Sequence, residues 1–107
     1  MAVSNELKHL KPETRAWVRT IRAGWELHEA HGKLLLLAAE AWDRCQQARA
    51  LLEKEGLTVT SRGTLKAHPA VGIERDSRLA FVRCLRELRL DEGPAGEEFT
   101  RPPRAGG

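Results

Sequence analysis

Positively charged side chains recur at helical spacing in two parts of the sequence. Near the N-terminus, four of them are spaced by four, four and three positions, so a helix would place them in one row: Lys11, Arg15, Arg19 and Arg22. Later in the chain, four arginines fall within about 80° of arc on one helical face: Arg75, Arg78, Arg86 and Arg89. Such rows can contact the phosphates along one strand of a duplex, with an affinity that depends on salt and largely ignores base sequence.

The simpler explanation of both rows is a solvated helix face. The side of a helix opposite its apolar stripe must be polar, and Glu74, Asp76 and Glu87 are spaced to pair with nearby arginines. The distribution of charge nevertheless favours a localised polyanion-binding surface. Residues 1–25 carry a net charge of +3 and residues 57–90 a net charge of +4, whereas the segment that follows each of them carries −2.

Other chemistries find little support in the sequence. It contains no phosphate-binding loop, no Gly-x-Ser-x-Gly motif and no His-Glu-x-x-His motif. His28 and His31 could share a helical face, but a metal site would need more ligands than their neighbourhood offers. Cys45 and Cys84 are far apart and lie on apolar faces of predicted helices, which indicates buried, reduced thiols. We therefore expect a protein that is not an enzyme and that uses no cofactor or metal.

Composition and length predict one small soluble domain. The chain has 107 residues, of which 41% are hydrophobic and 31% charged. Its longest apolar run, Leu34–Ala39, is too short to span a bilayer, and the N-terminus lacks the apolar region of a secretory signal. We expect a cytoplasmic protein with a single domain over residues 1–91. Residues 92–107, rich in Pro, Gly and charge, are predicted to form a flexible tail.

Two helices are predicted in the first half of the chain. Residues 1–10 have the composition of a loose lead-in, and Pro12 favours the start of a helix that ends near Trp25. Hydrophobic periodicity then predicts a long helix from Lys33 to Glu55, ended by the glycine that follows.

A β-hairpin and a further helix are predicted in the second half. Apolar and polar residues alternate on both sides of Ser61-Arg62-Gly63, which indicates two short strands joined by a three- or four-residue turn. His68 precedes a proline and can end the second strand, and Pro69 can begin a helix that runs to Leu90. The predicted fold class is mainly α: a helical hairpin, a short β-hairpin and a C-terminal helix.

The long helix carries a heptad row of mostly small apolar residues, which let another helix approach closely, within the chain or between copies. A chain of this size buries a limited core, so we expect self-association, although three tryptophans could instead fill the core of a monomer. The candidate interface combines this row with one neighbouring tryptophan and two residues of the β-hairpin: Leu34, Ala38, Ala41, Trp42, Cys45, Ala48, Leu52, Val59 and Leu65.

A series of short motifs runs from Gly56 to Asp91. A helix-ending Gly-Leu (Gly56-Leu57) is followed by a glycine turn (Gly63) and by the motif Lys-x-His-Pro-Ala (Lys66 to Ala70). A charged helix then ends in Leu-Arg-Glu-Leu-x-Leu (Leu85 to Leu90). In this order and spacing, and together with the preceding long helix, the chain resembles the small subunit of tailed-phage DNA-packaging terminases. The resemblance covers about residues 12–91.

The resemblance implies a non-enzymatic packaging factor, encoded by a phage or prophage and located in the host cytoplasm. It implies a ring of about eight to eleven copies that binds double-stranded viral DNA and regulates the ATPase and nuclease of the terminase large subunit. The two basic rows would then supply the DNA contacts. Two other classes remain open, namely a helical protein-interaction scaffold without DNA affinity and a small dimeric DNA-binding protein.

The chain departs from the family pattern in two places. It has no separate N-terminal helix-turn-helix domain that can be recognised in the sequence. The arginine-containing motif that often follows the last helix is replaced by DEGPAGEEFTRPPR, in which residues 101–104 could contact DNA or the large subunit, or could be a ragged end.

Overall fold

The computed structural model describes residues 5–90 and confirms a mainly α fold with a short β-hairpin. The predicted flexible tail, residues 92–107, lies outside the described residues. The elements in chain order are a short 3-10 helix (Asn5–Leu7), α1 (Pro12–Gly24), α2 (Glu29–Glu55), β1 (Thr58–Ser61), β2 (Thr64–Ala67) and α3 (Pro69–Leu88).

The hydrophobic core lies where α1, the first half of α2 and the end of α3 meet. The prediction of a loose lead-in is wrong for residues 5–10, because Leu7 and Leu10 are only 2% and 3% exposed and belong to this core. Their i, i+3 spacing suits one face of a helical turn, but the surrounding polar residues concealed that pattern. The other fully buried members of the core cluster are Val18, Ile21, Leu35, Ala39 and Leu88.

A buried carboxylate from α2 holds the start of α1. The backbone at Lys11 is extended, and its own side chain does not cap the helix. Instead Asp43, 6% exposed, accepts hydrogen bonds from the Lys11 backbone N–H at 2.9 Å and from the Thr14 hydroxyl at 2.5 Å. The carboxylate thereby satisfies one of the free N–H groups at a helix N-terminus, where the helix dipole favours an anion. This contact fixes α1 against α2.

The helices α2 and α3 form an antiparallel hairpin. Their contacts step in opposite directions along the two helices: Glu55 with His68, Cys45 with Glu74, and Trp42 with Phe81. With 27 residues, α2 is about 40 Å long. We call the 3-10 helix, α1, α2 up to Asp43 and α3 from Phe81 the three-helix end, and residues 44–80 the two-helix arm.

The β-hairpin that closes the arm has a tighter turn than predicted. Ser61 pairs with Thr64, so the turn contains two residues, Arg62 and Gly63, and not three or four. Both have positive φ, at 53° and 77°, as a type I′ turn requires. This turn follows the right-handed twist of the strands, which is why the shorter connection is formed even though Arg62 is not a glycine.

The junction between β2 and α3 confirms the predicted helix start. His68 is extended and Pro69 is the first helical residue. The His68 Nδ1 accepts a hydrogen bond from the Ala70 backbone N–H at 3.0 Å, so Nε2 carries the proton and donates to Glu55 Oε1 at 2.8 Å. The buried imidazole therefore caps α3 and ties it to the end of α2.

Two helix boundaries differ from the prediction. The second helix begins at Glu29, four residues before Lys33, because the stretch after His28 continues into regular hydrogen bonding. The last helix ends at Leu88, two residues before Leu90, because Arg89 adopts a left-handed conformation and its N–H bonds back to the carbonyls of the last turn.

Candidate nucleic-acid and assembly surfaces

One side of α1 forms a concave basic surface. Lys8, Pro12, Arg15 and Arg19 line a shallow cleft of about 390 Å³. The Arg15 Nη1 donates hydrogen bonds to two backbone carbonyls, that of Leu10 at 2.7 Å and that of Lys8 at 3.4 Å. The guanidinium is therefore held in a fixed position at the edge of the cleft, with further N–H groups available to an anion.

The rest of the predicted α1 row flanks this cleft. Lys11 is exposed at the helix start, whereas Arg22 forms an exposed ion pair with Glu6 at 2.5 Å. We call Lys8, Lys11, Arg15 and Arg19 the α1 basic face. Sequence analysis did not identify Lys8 as part of this surface, because Lys8 lies in the segment that was predicted to be a loose lead-in. Only the folding of that segment brings Lys8 close to α1.

The arginines at the start of α3 are engaged in ion pairs. Arg75 pairs with Asp76 at 3.1 Å, and Arg78 pairs with Glu74 at 3.3 Å. Glu74 also accepts a hydrogen bond from Arg49 at 3.0 Å. This bond from Arg49 lowers the pKa of the Glu74 carboxyl below its ordinary value, and the charge of Arg78 acts in the same direction. The carboxylate is therefore ionised at neutral pH.

The outer face of α3 mixes charge with exposed apolar side chains. Leu79 and Val82 are exposed and lie on the same helical face as the arginines of the predicted row. Arg86 and Arg89 are exposed near the end of the helix. The face is thus less uniformly basic than the spacing of the arginines indicated.

The structure does not bring the two basic rows together. Trp17 faces α3, where its ring lies 5.9 Å from that of Phe81. The α1 basic face lies on the other side of the buried stripe that contains Val18 and Ile21. The two predicted rows are consequently separate surfaces, one on α1 and one on the outside of α3.

Beside α1 there is a cleft with aromatic walls, which we call the aromatic cleft. It has a volume of about 350 Å³ and is lined by Glu13, Thr14, Trp17, Trp42 and Phe81. The Phe81 ring lies between the two indoles, 5.9 Å from Trp17 and 5.1 Å from Trp42, at tilted angles that are favourable for aromatic pairs. Sequence analysis did not single out Phe81, because its role depends on the antiparallel packing of α2 and α3.

The opposite side of the α2–α3 hairpin carries an apolar trough. The trough has a volume of about 510 Å³, and its apolar lining consists of Leu37, Ala41, Ile73, Ala80 and Cys84. Charged residues of both signs lie at its rim. Leu37 and Ile73 are exposed. Burial raises the pKa of the Cys84 thiol and also that of Cys45, so both thiols are protonated and weakly reactive at neutral pH.

The predicted interface residues divide into covered and exposed groups. Ala38, Cys45 and Ala48 are fully buried within the chain, while Leu34, Ala41 and Leu52 are half-buried. Of the remaining three, Val59 is half-buried, Trp42 is exposed, and Leu65 is 68% exposed next to Leu57 at 66%. The β-hairpin therefore presents large apolar side chains to the surroundings of the chain.

Residues 5–90 contain no group of three or more His, Cys, Asp and Glu side chains that could hold a metal ion. The rings of His28 and His31 are 5.4 Å apart, without a third ligand in the described part of the chain. In the same range, no helix combines the length and the apolar composition needed to cross a membrane.

Comparison with known proteins agrees with the motif series. A family model described as "Phage terminase, small subunit" matches residues 10–93, which include α1, α2, the β-hairpin and α3. No curated protein and no solved structure matches the sequence. Because the family model covers most of the chain and all its main elements, the protein belongs to the phage terminase small subunit family.

Proposed function

We propose that this chain is the DNA-binding, ring-forming subunit of a viral DNA-packaging motor and that it regulates the ATPase and nuclease of the large terminase subunit. The observation that carries the DNA-binding part is the α1 basic face, where three cationic side chains surround one concave surface: Lys8, Arg15 and Arg19. A cleft of about 390 Å³ has room for a phosphate group of the DNA backbone.

The remaining predicted DNA contacts contribute unequally in this proposal. Arg22, Arg75 and Arg78 have acidic partners, so approach of a phosphate must compete with a carboxylate. Arg86, which is exposed near the end of α3, is the better candidate in the second row. We therefore rank the α1 basic face first, then Arg86, and then the three paired arginines.

Assembly into a ring is supported by two exposed apolar surfaces that lie on different parts of the molecule. One is the trough that contains Leu37 and Ile73, and the other is the β-hairpin with Leu57 and Leu65. If one of these surfaces meets the other on the next copy, the contact is heterologous. Heterologous contacts form a ring when the rotation from one copy to the next closes after a whole number of copies. Val59 and Leu65 are then the predicted interface residues best placed to contact a neighbour, whereas Trp42 lines the aromatic cleft on the other side of the α2–α3 hairpin.

The six other predicted interface residues act, in this proposal, by holding α2 against α3 so that the surfaces keep their shape: Leu34, Ala38, Ala41, Cys45, Ala48 and Leu52. Ring assembly also explains how a small basic face can suffice. A single copy with a few phosphate contacts binds weakly, whereas a ring that repeats the face gains strongly in avidity.

DNA binding is tested by the salt dependence of affinity for a short duplex, measured by fluorescence anisotropy. The double variant Lys11→Gln/Arg19→Gln removes two proposed phosphate contacts, so the slope of log affinity against log salt should fall by about 1.8. Arg22→Gln is the matched control and should change the slope much less, because the charge of Arg22 is already paired with Glu6. An unchanged slope in the double variant would exclude the α1 basic face, and absence of salt-dependent binding in the native chain would favour the scaffold alternative.

The ring is tested by light scattering coupled to size-exclusion chromatography. We expect a mass about eight to eleven times that of the 12.0 kDa chain. Leu65→Ser should shift the population towards smaller species, whereas Thr60→Ser, at the residue paired with it across the hairpin, should not. A native protein that is monomeric would contradict assembly, and a dimer that binds DNA would favour the small dimeric DNA-binding protein.

Regulation of the large subunit is tested by adding the assembled protein to its cognate large subunit and measuring ATP hydrolysis and DNA cleavage. We expect both rates to change in the presence of the small subunit. Rates that stay the same over a saturating range would contradict the regulatory role while leaving DNA binding and assembly intact.

A further inference from the structure

The aromatic cleft is a preformed apolar site next to an exposed carboxylate. Trp17, Trp42 and Phe81 form its walls, and Glu13 stands at its edge without an ion-pair partner among residues 5–90. Trp42 remains 40% exposed in this arrangement, although indole side chains usually bury most of their surface. The cleft therefore suits a ligand that combines an aromatic ring with a nearby positive charge.

We propose that the cleft binds the C-terminal segment of its own chain, with Phe99 between the aromatic walls and Arg101 beside Glu13. Residues 91–107 contain only one aromatic side chain, Phe99, and Arg101 follows it two positions later. In an extended segment, residues i and i+2 project to the same side, so both side chains can face the cleft together.

The length of the segment fits this path. Leu90 is the last described residue, and Phe81 lies nine positions earlier, about 13 Å back along α3. The chain must therefore reverse direction, and Gly93-Pro94 is a dipeptide typical of turns. Residues 95–99 can then span up to about 16 Å, which is enough to bring Phe99 to the level of Phe81.

The order of Phe99 and Arg101 in the chain also agrees with the order in which the returning segment meets Trp17 and Glu13. Thr14, near the start of α1, contacts Asp43, whereas Ile21, near its end, joins the core that contains Leu88. A segment that returns from the end of α3 therefore passes Trp17 before it reaches Glu13. The four residues from Trp17 to Glu13 rise about 6 Å, and the two extended residues from Phe99 to Arg101 advance about 6.6 Å.

The first test uses ¹⁹F spectra of the full chain labelled with 5-fluorotryptophan. Trp17 and Trp42 line the cleft, whereas Trp25 packs against the core and serves as an internal control. Phe99→Ala should shift the signals of Trp17 and Trp42 and leave that of Trp25 in place. Thr100→Ala, on the opposite side of an extended segment, should shift none of them. Signals of Trp17 and Trp42 that are the same in Phe99→Ala and in the native chain would overturn the proposal.

The second test identifies the copy that supplies the segment. A photoreactive benzoylphenylalanine is introduced in place of Phe99, and the crosslinked peptides are identified by mass spectrometry. We expect crosslinks to peptides containing Trp17 or Trp42, in a product with the mass of a single chain. Crosslinks within products of twice that mass would show that a neighbouring copy fills the cleft, and crosslinks elsewhere would remove the segment from the cleft. Either result overturns the assignment.

The third test addresses the ion pair. Glu13→Gln and Arg101→Gln should each lower the crosslinking yield by roughly two-fold to five-fold, as expected for an exposed pair, and the double variant should lower it little further. Arg104→Gln, three positions beyond Arg101, is the matched control and should leave the yield unchanged. Independent losses that multiply in the double variant would exclude the Glu13–Arg101 contact.

Discussion

The three-helix end and the two-helix arm bury different kinds of side chain. The three-helix end covers large aliphatic residues such as Leu35, Val18 and Leu88. Within residues 44–80, all of which the structure describes, the buried residues are small or polar: Cys45, Ala48, His68, Ala70 and Ser77. Most large apolar side chains of the arm, including Leu57, Leu65 and Ile73, are instead exposed, and Leu52 and Val59 are half-buried.

This difference indicates how the two regions are stabilised. Burial of apolar surface is the main favourable term in folding, so the three-helix end carries most of the chain's own stability. The arm relies on helix packing through small residues and on a few polar contacts. Its exposed apolar surface is the part of the molecule that gains most from a neighbouring copy.

The largest expected effect is the loss of a core side chain. Leu35→Ala should lower the free energy of unfolding by about 3 kcal/mol, because the site is fully buried and leaves a cavity. Leu65→Ala in the arm should cost less than about 0.5 kcal/mol when measured under monomeric conditions. Chemical denaturation of both variants checks this, and similar losses in the two would contradict the division into two regions.

The next effect concerns the buried carboxylate that joins α1 to α2. Asp43→Ala removes the acceptor for the Lys11 N–H and the Thr14 hydroxyl, so it should cost about 2 kcal/mol. Hydrogen exchange should accelerate most in the first turn of α1. The matched control is Glu40→Ala, one turn earlier on α2, whose hydrogen bond to His9 is exposed. If the two variants lose equal stability, Asp43 does not anchor the helix.

A smaller effect is expected at the start of α3. His68→Ala removes the N-cap acceptor and the bond to Glu55, and should cost about 1 kcal/mol. His68→Asn keeps an acceptor for the Ala70 N–H and should recover most of this loss. Thermal unfolding of the three proteins checks the order. An Asn variant that is no more stable than the Ala variant would show that the cap is not the main contribution of His68.

The smallest effect depends on pH. The pKa of Glu74 is lower in the folded chain, mainly through the hydrogen bond from Arg49, so its contribution to stability is present above the ordinary carboxyl pKa. It should be lost as the pH falls through the lowered value. Glu74→Gln should therefore lower the free energy of unfolding slightly at neutral pH and leave it nearly unchanged in acid, so that the acid dependence of unfolding is reduced. An identical pH profile in the variant and in the native chain would contradict a role for this cluster.

The helix boundaries and the position of the turn were predictable from the sequence, because they depend mainly on the residues at and next to them. Pro12, Gly56 and the His68-Pro69 pair impose their backbone preferences wherever they occur, and the helices begin and end close to them. The same holds for the turn at Gly63, although its length was misjudged. The family resemblance rests on these features and is confirmed by the family model over residues 10–93.

Contacts between distant residues were not predictable in the same way. In the sequence, Asp43 occupies an ordinary polar position of an amphipathic helix. Only the packing of α1 against α2 brings its carboxylate to the Lys11 backbone N–H. A signal was nevertheless present, since Asp43 is charged and continues the stripe that contains Leu35 and Ala39. The pairing of Arg78 with Glu74 followed from their spacing, but the additional bond from Arg49 required the packing of α2 against α3.

The β-hairpin has a consequence for how the arm is protected from unwanted association. In the described part of the chain, β1 and β2 have only each other as partners, so both are edge strands with backbone N–H and C=O groups open to pairing. Each strand has four residues, and Lys66 lies on β2 opposite Val59. Short length and an edge lysine are features that restrict strand addition. The hairpin can therefore offer apolar side chains while remaining a poor template for continuous sheet growth.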